Sequence, residues 1–255
     1  MKLRNWRIVH RYLGLVIGVQ LFLWTVSGMV FSWNSIEAVR GENRIRSQPP
    51  VDLSDFELGD INPMIGSAKL ADMDSLRPVS VALRTMLGQP VYEVTCRGDV
   101  AEQFLLLDAV SGARLSPIDP DLAGRIAQAD FAEEVDVRSV ELVEAVGSHS
   151  EYRGKELPAY RVELDHPSGT VIYVSAERGQ VTTRRNNRWR VFDFFWMLHT
   201  MDYQGRDGFN HWLLRIVSAF GLLTVLTGYV LWLKTSPRWQ RRKRNRKRNI
   251  DNGDA

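Results

Sequence analysis

Cysteine is almost absent, with Cys96 the only one among 255 residues. The chain alone therefore builds no intrachain disulfide and no multi-cysteine zinc or iron–sulfur site. Cys96 closes a strand-like run from Val91, which suits a packed thiol better than a reactive one. Also missing are G-x-S-x-G, H-E-x-x-H, a phosphate-cradling glycine loop and the dinucleotide fingerprint, so no soluble-enzyme motif is present. The adjacent carboxylates, Glu133-Glu134 and the Asp72/Asp74 pair, read as surface charges and not as a catalytic dyad.

Charge is missing from two stretches. Tyr12 to Trp33 runs 22 residues with no charge and only Gln20 strongly polar, which is about 33 Å as a helix. Ile216 to Leu233 is a further 18 residues without charge, and Phe209 to Leu214 can lengthen it. Both read as membrane spans. Lys2, Arg4, Arg7 and Arg11 before the first span resemble a signal-peptide start, but the apolar run is too long and no A-x-A site follows, so a retained anchor is expected.

Residues 1–11 hold four basic residues and no acidic one, and 234–255 hold nine basic against two acidic; 34–187 hold 16 basic against 25 acidic. Basic flanks stay inside. Both termini are therefore expected in the cytoplasm of a bacterial inner membrane, with 34–208 mainly periplasmic. The overall charge of +3 is a sum of opposed regions and does not point to nucleic acid. Arg238 to Arg248 is expected to bind anionic lipid headgroups.

Between the spans, 34–60 reads as a polar tether with one or two helical turns, and Asn62 to Ala71 as a possible helix. Leu76 to Leu87 is either strand or short helix. Strands are expected at Val91–Cys96, Phe104–Asp108 and Ala113–Leu115, with a turn at Ser111-Gly112. A helix over 119–133 has Asp119 as N-cap and Pro120 at its first position. Val140–Val146 is strand or short helix, and strands return at Pro158–Leu164, Val171–Ser175 and Val181–Thr183. Pro90-Val-Tyr92-Glu-Val94 matches Pro158-Ala-Tyr160-Arg-Val162 at an offset of 68, and Gly112 matches Gly179 at 67. This predicts two copies of one small unit, each a helix on an antiparallel meander, packed together because neither alone buries a large core.

The second copy, LPAYRVELDHPSGTVIYVSAERGQVTTRR, runs into an aromatic segment ending LHTMDY and then a helix ending LTGYVLWL. With the opening HRYLGLVIGVQLFLWTVSGMVF, this resembles the PepSY domain coupled to the PepSY-associated transmembrane family. It departs from longer members in having two spans instead of four. The resemblance implies an α+β membrane protein whose two transmembrane helices flank two PepSY-like units. The expected division is 1–33 tip and first span, 34–60 tether, 61–118 first unit, 119–187 second unit, 188–208 interfacial aromatic helix and turn, 209–234 second span, and 235–255 basic tail. Some four-span relatives serve siderophore iron uptake, a subset binding b-type haem and reducing ferric siderophores; other PepSY modules restrain peptidases.

Of five histidines, His149 in a polar loop and His166 in a turn read as exposed. His10, His199 and His211 stand at the boundaries of apolar helices. They either snorkel or cap helix ends, or ligate haem iron, for which imidazole between aromatic walls is suited. His10 lies most of a bilayer from His211, so one haem cannot bridge them in a monomer. His199 and His211 are expected together at the outer face, with Asp202 accepting the second ring N–H of His199. The resemblance raises the haem b reading, with His199 and His211 as one site and His10 as a second needing a ligand from another chain. Gly14 and Gly18 form a GxxxG pattern, and Ser218, Gly221 and Gly228 form a small-residue stripe, so a four-helix homodimer is expected.

The favoured function is transmembrane electron transfer toward periplasmic ferric iron or a ferric siderophore, with a donor from another chain. The competing one is a non-enzymatic module that binds or regulates a periplasmic partner.

Overall fold

The computed structural model describes residues 3–69, 77–97, 102–206, 208–237, 239 and 241. Most of the basic tail, the Asp72/Asp74 pair and Asp207 lie outside the described residues. The chain divides into two compact units, Met1–Trp33 with Asp193–Ala255, and Asn34–Phe192.

The first unit holds the two long apolar helices, α1 (Leu3–Trp33) and α6 (Trp212–Thr235). They run antiparallel in contact, and α1 begins nine residues before its apolar run, which places His10 inside the helix. Gly221 makes room for Ile17, Leu21 and Trp24, and Gly228 lies against the His10 ring. Those two glycines thus serve the contact within one chain. Gly14 and Gly18 have open space where a Cβ would stand. Most of the large apolar side chains stay uncovered, Leu15 and Val16 at 73% exposure among them, as lipid-facing helices require. Hydroxyls in the helices bond back to carbonyls one turn earlier, Thr25 to Leu21 and Thr224 to Phe220, a solution suited to a waterless setting.

The second unit is α+β. In chain order it contains α2 (Ile36–Arg40), α3 (Ile61–Lys69), β1 (Arg77–Met86), β2 (Gln89–Arg97), β3 (Glu102–Asp108), α4 (Pro120–Asp130), β4 (Val137–Val143), β5 (Ala159–Leu164), β6 (Val171–Ser175) and β7 (Val181–Arg185). The last helix, α5 (Asn187–Thr200), gives its first six residues to this unit and the rest to the other. Two antiparallel meanders result, β1-β2-β3 and β4-β5-β6-β7.

The internal repeat is visible in the hydrogen bonds. Ala109 N–H donates to Pro90 O and Ala176 N–H to Pro158 O; Gly112 N–H donates to Asp108 O and Gly179 N–H to Ser175 O. The chain entering each helix docks alike, Gly59 N–H on Ala109 O and Ile118 N–H on Ala176 O, both 2.8 Å. The matched tyrosines then close each copy, Tyr92 Oη donating to Gly59 O and Tyr160 Oη to Ile118 O. Gly112 (φ 73°) and Gly179 (φ 57°) sit where an L side chain is strained, which explains their equivalent placement.

In each copy the helix covers the tyrosine face of the second strand. α3 packs Ile61, Met64 and Ile65 on Val94, Cys96, Leu105 and Leu107; α4 packs Ala123, Ile126 and Ala127 with Val162, Leu164, Ile172 and Val174. Asp119 caps α4 by accepting from Leu122 N–H at 2.7 Å, with Pro120 first in the helix. On the opposite face of β2, Glu93 is 7% exposed. Its carboxylate receives Arg84 (3.0 Å), Arg178 (2.7 Å) and Gln180 (2.9 Å), so both β1 and the β6–β7 turn of the other copy close on it.

Two expectations change. Ala113–Leu115 forms only a bridge, Leu107 with Arg114, because Pro117 has no N–H and the Ser116 hydroxyl takes the Leu106 N–H instead. The segment 34–60 is in part packed structure and not a free tether. Val39 is 1% exposed, Asn186 donates to Ala38 O, and Arg46 N–H donates to Asp130 O.

Candidate functional site

α5 ends at Thr200 beside α1, and the last turn of a helix leaves acceptors unpaired. Three side chains receive them. Gln20 Nε2 donates to Leu198 O (3.1 Å), Trp24 Nε1 to His199 O (2.7 Å), and His211 Nε2 to Thr200 O (2.8 Å). The one strongly polar residue of the first apolar run thus has a specific partner. Ser27, which His199 touches, lies six residues before the end of α1, so the tip of α5 is seated about 9 Å inside the apolar length.

His199 Nδ1 lies 2.7 Å from Ser27 Oγ, and that hydroxyl donates its own proton to Trp24 O at 3.0 Å. Ser27 is therefore the acceptor for Nδ1–H, and the lone pair of His199 is on Nε2. The opposite end of the helix pair repeats the arrangement. His10 Nδ1 lies 3.0 Å from Thr227 Oγ1, whose proton goes to Thr224 O at 2.9 Å, and again Nε2 carries the lone pair. His10 and Ser27 are separated on α1 by about 25 Å of helix, close to the thickness of a hydrocarbon core. Around His199 the walls are aromatic. Phe31 meets the imidazole edge-on at 5.4 Å, Trp196 packs on Phe31, and Phe209 on Trp196.

His211 is arranged differently. It caps α6 by accepting Leu214 N–H on Nδ1 at 3.3 Å while Nε2 donates to Thr200 O. Both ring nitrogens are spent on main chain. The structure thus brings His199 and His211 to the same helix end, as expected, but gives them unlike roles. For haem, which sequence resemblance implies, His199 and His10 are the residues that would hold the iron: each offers an Nε2 with a hydroxyl behind its Nδ1, the kind of support a ligating imidazole uses. His211 as it stands does not fit.

Asp202 is not the partner of His199. The helix stops at Thr200 and Met201 takes φ 58°, so Asp202 leaves the helical face. It accepts N–H from Gly205 (2.9 Å) and Gly208 (2.8 Å) instead, and those N–H groups hold its carboxyl below the usual range. Asp193, 6% exposed, is paired with Arg206 at 2.7 Å and was not foreseen; its partner lies thirteen residues on, across a turn with no periodic pattern.

His166 in the other unit is also not the exposed turn residue expected. Its side chain is 16% exposed, its ring meets Phe131 edge-on, and its nitrogens lie 2.8 Å from Glu133 Oε2 and 2.7 Å from Ser168 Oγ. Arg44 joins the same cluster. The cluster ties the segment before α3 to the one after α4.

A pair of apolar helices with a lodged helix tip, flanking an α+β region of two antiparallel repeats, defines a class of membrane protein with an extramembrane double module. The chain belongs to the PepSY-associated TM region family, whose model matches residues 7–252. No curated protein and no solved structure matches it.

Proposed function

We propose that this protein supports electron transfer across the bacterial inner membrane toward periplasmic ferric iron or a ferric siderophore, with haem b held through His199 and His10. One observation carries the reading: an imidazole at each end of the helix pair has its Nδ1–H fixed by a helix hydroxyl and its Nε2 left for a ligand. Bound haem supplies a one-electron iron couple at each level. The chain's own residues orient the rings through Ser27 and Thr227. Phe31 and Trp196 keep water from the outer imidazole, and the tip of α5 stays in place through Gln20, Trp24 and His211. Any further residue holding the iron would come from another chain, and the open Gly14–Gly18 face of α1 is where a second copy would pack. The donor is a cytoplasmic-side protein.

The test is a reduced-minus-oxidised spectrum of the protein purified from haem-supplied cells. A b-type signal is expected, and His199→Ala and His10→Ala each remove about half of it, while His211→Ala lowers melting temperature more than haem content. Absence of a Soret band in folded, haem-supplied protein rejects the reading.

A further inference from the structure

In the repeat alignment the position of Glu93 is Arg161. Glu93 faces away from α3 and is closed over by the second copy. Arg161 faces away from α4, and among the described residues no third copy closes over it. The residues between β4 and β5, 144–158, fold back across that face instead. Tyr152 pins them: it is fully buried, stacks on Tyr173 at 4.3 Å, and bonds Glu156 O and Thr182 Oγ1. The cover is incomplete. A cavity of about 710 Å³ remains between it and the sheet, with Arg161, Glu163 and Tyr173 from the strands and Glu151, Asn187 and Arg190 around them.

The charges in this cavity are organised. Arg161 and Tyr173 stand opposite each other in the β5–β6 register. Tyr173 Oη donates to Glu151 Oε1 at 3.0 Å, and Arg190 donates to both oxygens of Glu151, at 2.9 and 3.3 Å. Arg161 sends both terminal nitrogens to one oxygen of Glu163, 3.2 Å each, which leaves it N–H groups to spare. A cation and an anion thus flank one phenol, which burial and Glu151 keep protonated far above neutral pH. Two arginines and two glutamates balance, so a net anion meets the glutamates and a net cation meets the arginines. A molecule carrying one charge of each sign a few ångströms apart meets both partners. The volume lies within the range of small-ligand sites.

We infer that this cavity binds small zwitterions of the amino-acid and short-peptide class, the carboxylate at Arg161 and the ammonium at Glu151 beside the Tyr173 hydroxyl. The proposal stands apart from the haem reading and involves none of its histidines.

Titration of the full chain in lipid nanodiscs with L-alanyl-L-alanine tests it, against the N-acetylated and the C-amidated dipeptide. The free dipeptide is expected to saturate, with either capped form at least about tenfold weaker. Arg161→Gln abolishes the preference over the amide, and Glu151→Gln the preference over the acetylated form. Tyr173→Phe keeps the stack on Tyr152 and weakens the free dipeptide several-fold. Equal binding of all three peptides, or no saturable binding of the free dipeptide to folded protein, overturns the proposal. The peptide series on the unaltered chain decides it even where a variant fails to fold. The b-type spectrum is read on the same samples, so the two proposals fail separately.

Discussion

In the first repeat two residues, Leu87 and Gly88, join the first pair of strands; in the second, residues 144–158 make the same connection. The hydrogen bonds that close the two copies are otherwise alike, from the tyrosine hydroxyls to the left-handed glycines. The shared set specifies the unit. What differs is which surface of each sheet is left for something else. In the first copy it is consumed in holding the second, through a buried carboxylate; in the second it carries an arginine into a cavity. One lattice position thus does structural work in one copy and is available for recognition in the other.

The largest test of that contrast is Glu93→Ala, which leaves Arg84 and Arg178 without their shared counter-charge. A loss of about 3–5 kcal/mol in denaturant unfolding is expected, while Arg161→Ala, on the hydrated face, costs about 1 kcal/mol or less. Equal losses would erase the distinction between the two positions.

The glycines give a middle-sized test. A Cβ on Gly179 meets Met86 Sδ at 2.9 Å with the branched side chains of Ile118 and Leu106 at 3.4 and 3.5 Å, whereas the three nearest atoms to one on Gly112, from 2.8 Å, all belong to the single flexible side chain of Met64. Both add the left-handed strain of an L residue, so Gly112→Ala costs about 1–2 kcal/mol and Gly179→Ala about 3 kcal/mol, the excess being overpacking. Thermal melts rank them.

The smallest is a pH effect. Asp108 accepts N–H from Ser111 and Val110, and its carboxyl is held below the usual range chiefly by the Ser111 N–H; its counterpart in the second copy is Ser175, which does not titrate. A depressed folded pKa means stability that is present above the unfolded carboxylate range and is lost as pH falls through the folded value. Asp108→Ser should therefore lower the neutral plateau by less than about 0.5 kcal/mol and leave the acid end unchanged, so that the acid limb is flatter.

The repeat was legible because its markers are local. A tyrosine two residues after a proline, and a glycine forced left-handed in a turn, keep fixed offsets whatever surrounds them. The spans were legible because charge stops at their edges. The partners of the histidines were not. Asp202 had the right spacing for His199, but the helix ends two residues too soon, and Ser27 lies 172 positions away. His166 gained its surroundings from residues 44 and 133, and the cavity lies beneath a segment whose Tyr152 stacks on Tyr173. Contacts of that kind are made by the fold and leave no period in the sequence.

The seating of the α5 tip has a consequence for how this unit holds together. Within hydrocarbon a carbonyl has no solvent to fall back on, and the three at this tip are met by donors from α1 and from the start of α6. The seating of this segment therefore depends on both flanking spans at once. The tip is fully met only with both spans in place, through Gln20, Trp24 and His211.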